Sequence, residues 1–156
     1  MMLVERLAEA IAHQEGFYLS EAYAQERGLT FPTRAQRNAN PGNIRVWKTG
    51  NGHEYPRSGG YVDFTAWAAE RPGAVAALEG WRVLRLLVWR YIEGRYTHMQ
   101  SPTLVEMFRV YSPSADGNEP EAYASAVGAR LGIPTDVPLS KIQAEQELAE
   151  RQARAG

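Results

Sequence analysis

The stretch from Ala74 to Tyr91 constrains this chain most, because it carries Val, Leu, Trp and Ala with few breaks and is apolar almost all round. A helix of that kind normally sits at the buried centre of an all-α domain. With 156 residues, 44% of them hydrophobic, the chain can wrap one core around such a helix but cannot furnish two domains of useful size. The expectation is a mainly α (α+β) fold with a buried central helix and a small β-hairpin, one domain over residues 1–140 and a solvated C-terminal helix or tail over 141–156. Trp81 and Trp89, on the central segment, are expected in the core.

Helix boundaries are signalled elsewhere. Thr103-Leu104-Val105-Glu106 fits a capping box, Tyr111-Ser112-Pro113 ends that helix, and Asn118-Glu119-Pro120 opens another that stops at Gly132. Thr65 is the expected cap of a short helix through Glu70. Phe17 to Pro32 reads as an aromatic-rich loop or short helical turn. Ile44-Arg45-Val46-Trp47 and Tyr61-Val62-Asp63-Phe64 alternate like short strands joined by the Gly-, Asn- and Pro-bearing stretch between them. Before them, Pro41-Gly42 predicts a type II turn with positive φ at Gly42. From Ser140 onward the chain is helix-prone but poor in large apolar residues.

The first helix poses the chemical question. Leu3, Val4, Leu7, Ala8, Ile11 and Ala12 recur at helical spacing, and one more turn along the same row lands on Glu15, not on a hydrophobe. Gly16 reads as the C′ stop. Burial and the negative end of the helix dipole both disfavour a charged carboxyl, so the expected pKa shift is upward. A carboxylic acid that keeps its proton near neutral pH is what general-acid cleavage of a glycoside requires. The plainer alternative is a Glu that bends out to solvent or pairs with an Arg.

Charge and cysteine usage exclude several classes. Lys and Arg number 17 and Asp and Glu 18, so no global field recommends nucleic acid or an anionic membrane as partner, and no apolar run is long enough for stable membrane insertion to be expected. Locally, Arg27, Arg34, Arg37, Arg45, Lys48 and Arg57 face one acid, Glu54, after a stretch bearing Glu5, Glu9, Glu15, Glu21 and Glu26. Such a basic region suits either a carboxylate-bearing polymer or a solvated face. Without cysteine there is no disulfide or thiolate site. His13, His53 and His98 lack metal-ligand spacing, and Gly50-Asn51-Gly52 lacks the context of a phosphate loop, so no metal, cofactor or nucleotide is expected. Glu5 and Glu9 interrupt the N-terminal apolar residues, unlike a signal peptide. The chain is expected to be made in the cytoplasm and, if its substrate lies outside, to be delivered by other means.

Four fragments in order carry a family resemblance: Glu15-Gly16-Phe17; Asn40-Pro41-Gly42-Asn43-Ile44-Arg45; Tyr111-Ser112-Pro113 with Asn118 and Tyr123; and Leu131-Gly132-Ile133 followed by Asp136-Val137-Pro138-Leu139. Together, over roughly Leu7 to Ile142, they resemble phage-associated, lysozyme-like peptidoglycan-cleaving domains of the lytic transglycosylase and muramidase superfamily. The resemblance implies a lysozyme-like fold, Glu15 as the catalytic acid, and cleavage of the β-1,4 bond between N-acetylmuramic acid and N-acetylglucosamine. It implies action at the bacterial cell wall or periplasm or within a virion, with peptidoglycan strands, and other virion proteins, as partners. The chain departs from the family where Asn38-Ala39-Asn40-Pro41 replaces two consecutive Asn before Pro, and in lacking the Gly-Leu-Met-Gln stretch of many lytic transglycosylases.

Sugars are held by amide and hydroxyl groups and by flat aromatic faces. Asn38, Asn40 and Asn43 are the candidate amides, and Phe17, Tyr18, Tyr23, Trp47, Tyr55 and Tyr61 the candidate faces, although Asn beside Pro-Gly is also ordinary turn chemistry. Tyr111 either turns its hydroxyl to the substrate or lies in the core. Glycoside hydrolysis normally needs two carboxyls. Asp63 is the candidate second one, with the alternative that it bonds the amides of the next helix; Glu26 and Glu54 come after it. Lytic transglycosylases manage with one Glu, so a missing partner favours that chemistry over hydrolysis. The rival function is a non-catalytic virion or secretion-apparatus domain that binds glycan or protein.

Overall fold

The computed structural model describes residues 2–96, 100–112 and 117–156. The expected mainly helical class with one small antiparallel sheet is what the described residues form. The chain divides into two compact units, one of Met1–Ala10 with Arg85–Gly156 and one of Ile11–Leu84. Helices α1 (Leu3–Gln14) and α5 (Ala76–Ile92) each contribute residues to both.

The Ile11–Leu84 unit holds α2 (Glu21–Arg27), α3 (Arg34–Arg37), strands β1 (Arg57–Ser58) and β2 (Tyr61–Val62), and α4 (Phe64–Ala69). Side chains set the helix starts. Ser20 accepts from the Tyr23 N–H to cap α2, and Thr33 and Gln36 form a reciprocal capping box on α3. The start of α4 differs from expectation: its cap is Asp63, whose Oδ1 accepts from Ala66 N at 2.9 Å, while Thr65 Oγ1 donates to Arg37 O instead.

The hairpin also differs. Tyr61–Val62 pairs with Arg57–Ser58 across Gly59-Gly60, with Arg57 opposite Val62 and Ser58 opposite Tyr61. Both glycines have positive φ, as a two-residue turn matched to strand twist requires, and closing that turn costs less entropy than closing a long loop. Ile44 is not part of a strand of the hairpin but meets it through its carbonyl, which accepts from Val62 N at 2.8 Å. Its neighbours fold back on themselves, with Tyr55 N donating to Trp47 O and Lys48 bridged to Glu54.

The other unit contains α6 (Leu104–Tyr111), α7 (Pro120–Leu131) and α8 (Leu139–Ala155). The Thr103–Glu106 capping box, Pro120 in the first turn of α7 and the left-handed Gly132 cap all appear as the sequence signals. Arg6 Nη2 donates to Leu131 O at 2.7 Å, satisfying a carbonyl at the end of α7. Fully buried Phe108 packs against Tyr123, with ring centroids 4.2 Å apart, and Tyr111 lies beside Phe108, Tyr91 and Tyr123. Leu139 and Ile142 are the buried residues of α8. Pro113 and His98 lie outside the described residues.

The helix expected to be apolar all round is two-faced. Gly80, Val83, Leu84, Leu87, Val88, Tyr91 and Ile92 form the buried stripe of α5, while Arg82, Arg85 and Trp89 are exposed. Trp89 is therefore not a core residue: it sits beneath the Arg95 guanidinium, 4.8 Å from the ring centroid. Trp81 is half-buried, edge-on to Phe17 at 5.6 Å. The intervening arginines decide which tryptophan faces turn outward, since a cation is costly to bury.

Candidate active site

Glu15 sits where the helical row places it. It is half-buried and caps α1: Glu15 N donates to Ile11 O at 2.9 Å, Gly16 N to His13 O at 3.2 Å and Phe17 N to Ala12 O at 2.9 Å. The last two bonds are a Schellman motif, and Gly16, at φ 77, holds the left-handed C′ position it needs. The loop that follows is clamped by α3. Thr33 Oγ1 donates to Gly16 O at 3.1 Å, and Gln36 Nε2 donates to Phe17 O at 3.2 Å and Leu19 O at 2.8 Å.

A second Schellman motif ends α3. Ala39 N donates to Gln36 O at 3.1 Å and Asn40 N to Ala35 O at 2.8 Å, with Ala39 at φ 49 in the C′ position. A non-glycine residue there costs about 1–2 kcal/mol. Glycine appears instead at the approaching helix. A Cβ on Gly80 of α5 would stand 2.1 Å from Ala39 O and 3.0 Å from Pro41 Cδ, so only a residue without one lets α5 touch this turn.

The turn itself is Asn40-Pro41-Gly42-Asn43, closed by Asn43 N donating to Asn40 O at 3.0 Å. It is not the expected type II turn. Gly42 lacks positive φ, and the left-handed residue is Asn43, at φ 47. Asparagine tolerates that region, and the geometry aims its side chain. Asn43 Nδ2 donates to Glu15 Oε2 at 3.0 Å, while Asn43 Oδ1 is buried with no hydrogen-bond partner.

The other candidate amides are spent on the backbone. Asn40, 0% exposed, donates through Nδ2 to Ile44 O at 2.9 Å and Val62 O at 3.0 Å, and accepts from Ile44 N at 2.9 Å. Two of those bonds close the turn onto Ile44 and the third joins it to Val62 of the hairpin, so Asn40 is a structural residue and not a sugar ligand. Asn38 is buried as well, its amide directed at Ser58 O at 3.4 Å. Trp47 is buried and offers no open face. Tyr61 has the Arg34 guanidinium over its ring at 3.6 Å and that of Arg45 at 5.5 Å, in place of an unobstructed sugar platform. Tyr111 belongs to the aromatic cluster of the other unit. Asp63 is committed to the α4 cap.

The residues on either side of Glu15 in the chain form an aromatic cluster with Trp81 of α5. His13 and Tyr18 rings lie 4.4 Å apart, Tyr18 is 5.5 Å from Phe17 and 6.2 Å from Trp81, and Tyr18 is 47% exposed. Thr33, Gln36, Gly80 and Trp81 are the site-building residues that sequence reasoning missed. Thr33-Arg34-Ala35-Gln36 is a legible capping-box pattern; nothing in the sequence marks Gly80 as the point where α5 touches the turn.

A polar network braces the same unit. Tyr55 OH donates to Glu79 Oε1, and Arg82 holds Glu79 with two bonds of 2.7 and 2.9 Å. Arg82's hydrogen bonds hold the Glu79 carboxyl below the usual carboxylate range despite its burial. Burial, then the adjoining Glu79, push the Tyr55 hydroxyl up. Both partners of Glu79 are thereby kept protonated and donating. Among the described residues no group of three or more His, Asp or Glu is arranged to hold a metal ion, and no helix is long and apolar enough to cross a membrane. Comparison with protein-family models, with curated proteins and with solved structures finds no match.

Proposed function

We propose that this chain is a lysozyme-like domain that cleaves peptidoglycan glycan strands at the β-1,4 bond between N-acetylmuramic acid and N-acetylglucosamine, with Glu15 as a single acid/base. The observation that carries the reading is the 3.0 Å bond from Asn43 Nδ2 to Glu15 Oε2, which joins two of the fragments that resemble that family across 28 residues of chain. A half-buried carboxyl at a helix end, its rotamer fixed by an amide on a rigid turn, is suited to proton transfer at one defined point. The exposed His13 and Tyr18 rings and the half-buried Phe17 and Trp81 rings supply faces of the kind that cover the apolar side of a pyranose.

The chemistry follows from one carboxyl. Glu15 gives its proton to the glycosidic oxygen as the bond to the muramoyl anomeric carbon breaks. The resulting carboxylate then takes the proton of the muramoyl 6-hydroxyl as that oxygen closes on the anomeric carbon, which restores the acid and yields an anhydro sugar. Engagement of Asp63 as a helix cap supports this route over hydrolysis, because it occupies the first candidate for a second carboxylate.

Muropeptides released from purified cell walls, analysed by mass spectrometry, test the reading. Wild type is expected to release anhydro products, and Glu15→Gln to lose cleavage by about 10² to 10⁴-fold while keeping its melting temperature. Cleavage retained in the variant would remove Glu15 from the role. Reducing ends without anhydro sugar would replace the transglycosylase by a muramidase. Binding without cleavage by either protein would leave a non-catalytic glycan-binding domain.

A further inference from the structure

The proposed reaction makes no use of Gly50-Asn51-Gly52, yet this stretch holds the chain's one Asn-Gly pair. Asn51, Gly52 and His53 are all exposed, in a loop closed by Thr49 N donating to His53 O at 2.7 Å. The Asn51 side chain folds back over that loop. Its Oδ1 accepts from the Thr49 hydroxyl and, at 3.4 Å, from His53 N, an Asx turn that spans the Asn51–Gly52 peptide. His53 O lies 3.2 Å from the same hydroxyl but already accepts from Thr49 N, which leaves the hydroxyl for Asn51. Gly52, at φ 87, brings no side chain, and a Cβ there would meet nothing within 4 Å, so its nitrogen is approached without obstruction.

From this arrangement we infer a site of self-modification: Gly52 N attacks the side-chain carbonyl carbon of Asn51, and water converts the product to aspartate and isoaspartate. The N–Cγ bond forms as a base in solvent takes the Gly52 proton, and negative charge collects on Oδ1, where the two donors already in place stabilise it. The Cγ–Nδ2 bond then breaks, Nδ2 leaves as ammonia with a proton from solvent, and a succinimide remains. Water opens that ring at Cγ to give aspartate, or at the backbone carbonyl to give isoaspartate, so one water is consumed and one ammonia released. The bond from Gly52 N to Thr49 O, 2.9 Å, must open first, and a single bond in an exposed loop is among the least stable parts of a fold. The other asparagines lack the combination. Asn40 precedes Pro41, which has no N–H; Asn43 precedes Ile44, whose N–H is held by Asn40 Oδ1; Asn38 is buried; and Asn118, though exposed, precedes Glu119 with its longer side chain. Either product adds a negative charge to the loop bridged by Lys48 and Glu54, and the extra backbone methylene of isoaspartate shifts Gly52 away from Thr49.

The test keeps the full chain in mildly alkaline buffer for days and follows each asparagine by peptide mapping and mass spectrometry, with isoaspartate labelled by an isoaspartyl methyltransferase. Asn51 is expected to convert about tenfold faster than Asn118 and to give both products. Hydroxylamine should cleave the chain between Asn51 and Gly52, as it does a succinimide. Conversion in the folded chain should be at least as fast as in the chain unfolded by guanidinium chloride, because the loop presents the carbonyl already polarised. Thr49→Val removes one donor from Oδ1 and should slow conversion about three- to tenfold, whereas Thr49→Ser keeps the hydroxyl and should keep the wild-type rate. A rate at Asn51 no greater than at Asn118, or clearly lower in the folded than in the unfolded chain, would overturn the site. Equal rates in wild type and Thr49→Val would overturn it too, since the Asn-Gly pair alone would then set the rate.

Discussion

Asn40 and Phe108 are both fully buried, but their surroundings are held by different forces. Around Asn40 the chain has little regular structure, and its shape comes from side-chain amides that replace a sheet ladder: Asn40 to Ile44 and Val62, Asn38 toward Ser58, Gln36 to Phe17 and Leu19. Around Phe108 the backbone is helical and satisfies itself, so the contacts left to make are between rings. Apolar burial is non-directional, whereas hydrogen bonds lose their strength steeply with angle. The polar region can therefore hold one carboxyl, Glu15, in one orientation, and the aromatic region contributes mass and stability. This is the division expected where a site needs positioning more than bulk.

A paired substitution is the strongest way to break the contrast. Phe108→Ala removes a fully buried ring and should cost about 3–5 kcal/mol, and Asn40→Ala strands the Ile44 N–H and the Val62 carbonyl, Ile44 O keeping its bond from Val62 N, and should cost about 2–3 kcal/mol. Their effects on the molecules that remain folded should run the other way. Cleavage per folded molecule should fall at least tenfold in Asn40→Ala, through a displaced Asn43, and stay near wild type in Phe108→Ala. Urea titration with muropeptide assays below each midpoint measures both quantities. Equal activity losses would show that the two regions are not separable.

Asp63 sharpens the comparison at the edge of the polar region. If it only caps α4, Asp63→Ala should cost about 1 kcal/mol and Asp63→Asn almost nothing, because asparagine caps as well as aspartate. Both variants should keep cleaving. Loss of cleavage in Asp63→Asn at unaltered stability would restore it as a second carboxylate.

The smallest effect concerns pH. Glu79 has its carboxyl pKa lowered by Arg82, so its contribution is complete above its unfolded pKa, about 4.3, and fades as pH falls through the lower folded value. Tyr55 is the opposite case: raised by burial, its contribution is complete below about pH 10 and fades as pH rises through its folded value. Glu79→Gln should therefore flatten the acid limb of the stability profile, by a modest amount for so solvent-screened a network. Urea midpoints between pH 3 and pH 7 check it, and an acid limb as steep as wild type would show that Glu79 is unimportant there.

Local rules were sufficient wherever the decisive partner lies within a few residues. The helical class, the position of Glu15 on the α1 row, the Gly16 stop, the Thr103–Glu106 box and the ends of α7 all follow from near-neighbour sterics and hydrogen bonding, and the sequence displays them. The capping box at Thr33 and the Gly59-Gly60 turn were equally legible by those rules, and they correct the hairpin register. The roles of the asparagines were not. Whether an Asn in this stretch reaches Glu15 or joins a turn to a hairpin depends on which left-handed residue, Gly42 or Asn43, the turn adopts, and that choice reflects contacts from distant residues such as Gly80 and Val62. Sequence by itself determined that a carboxyl would stand at the end of α1. Only the tertiary structure decided that Asn43 holds it, that Asn40 builds the turn, and that two arginines share one tyrosine, because each outcome is set by atoms far apart along the chain.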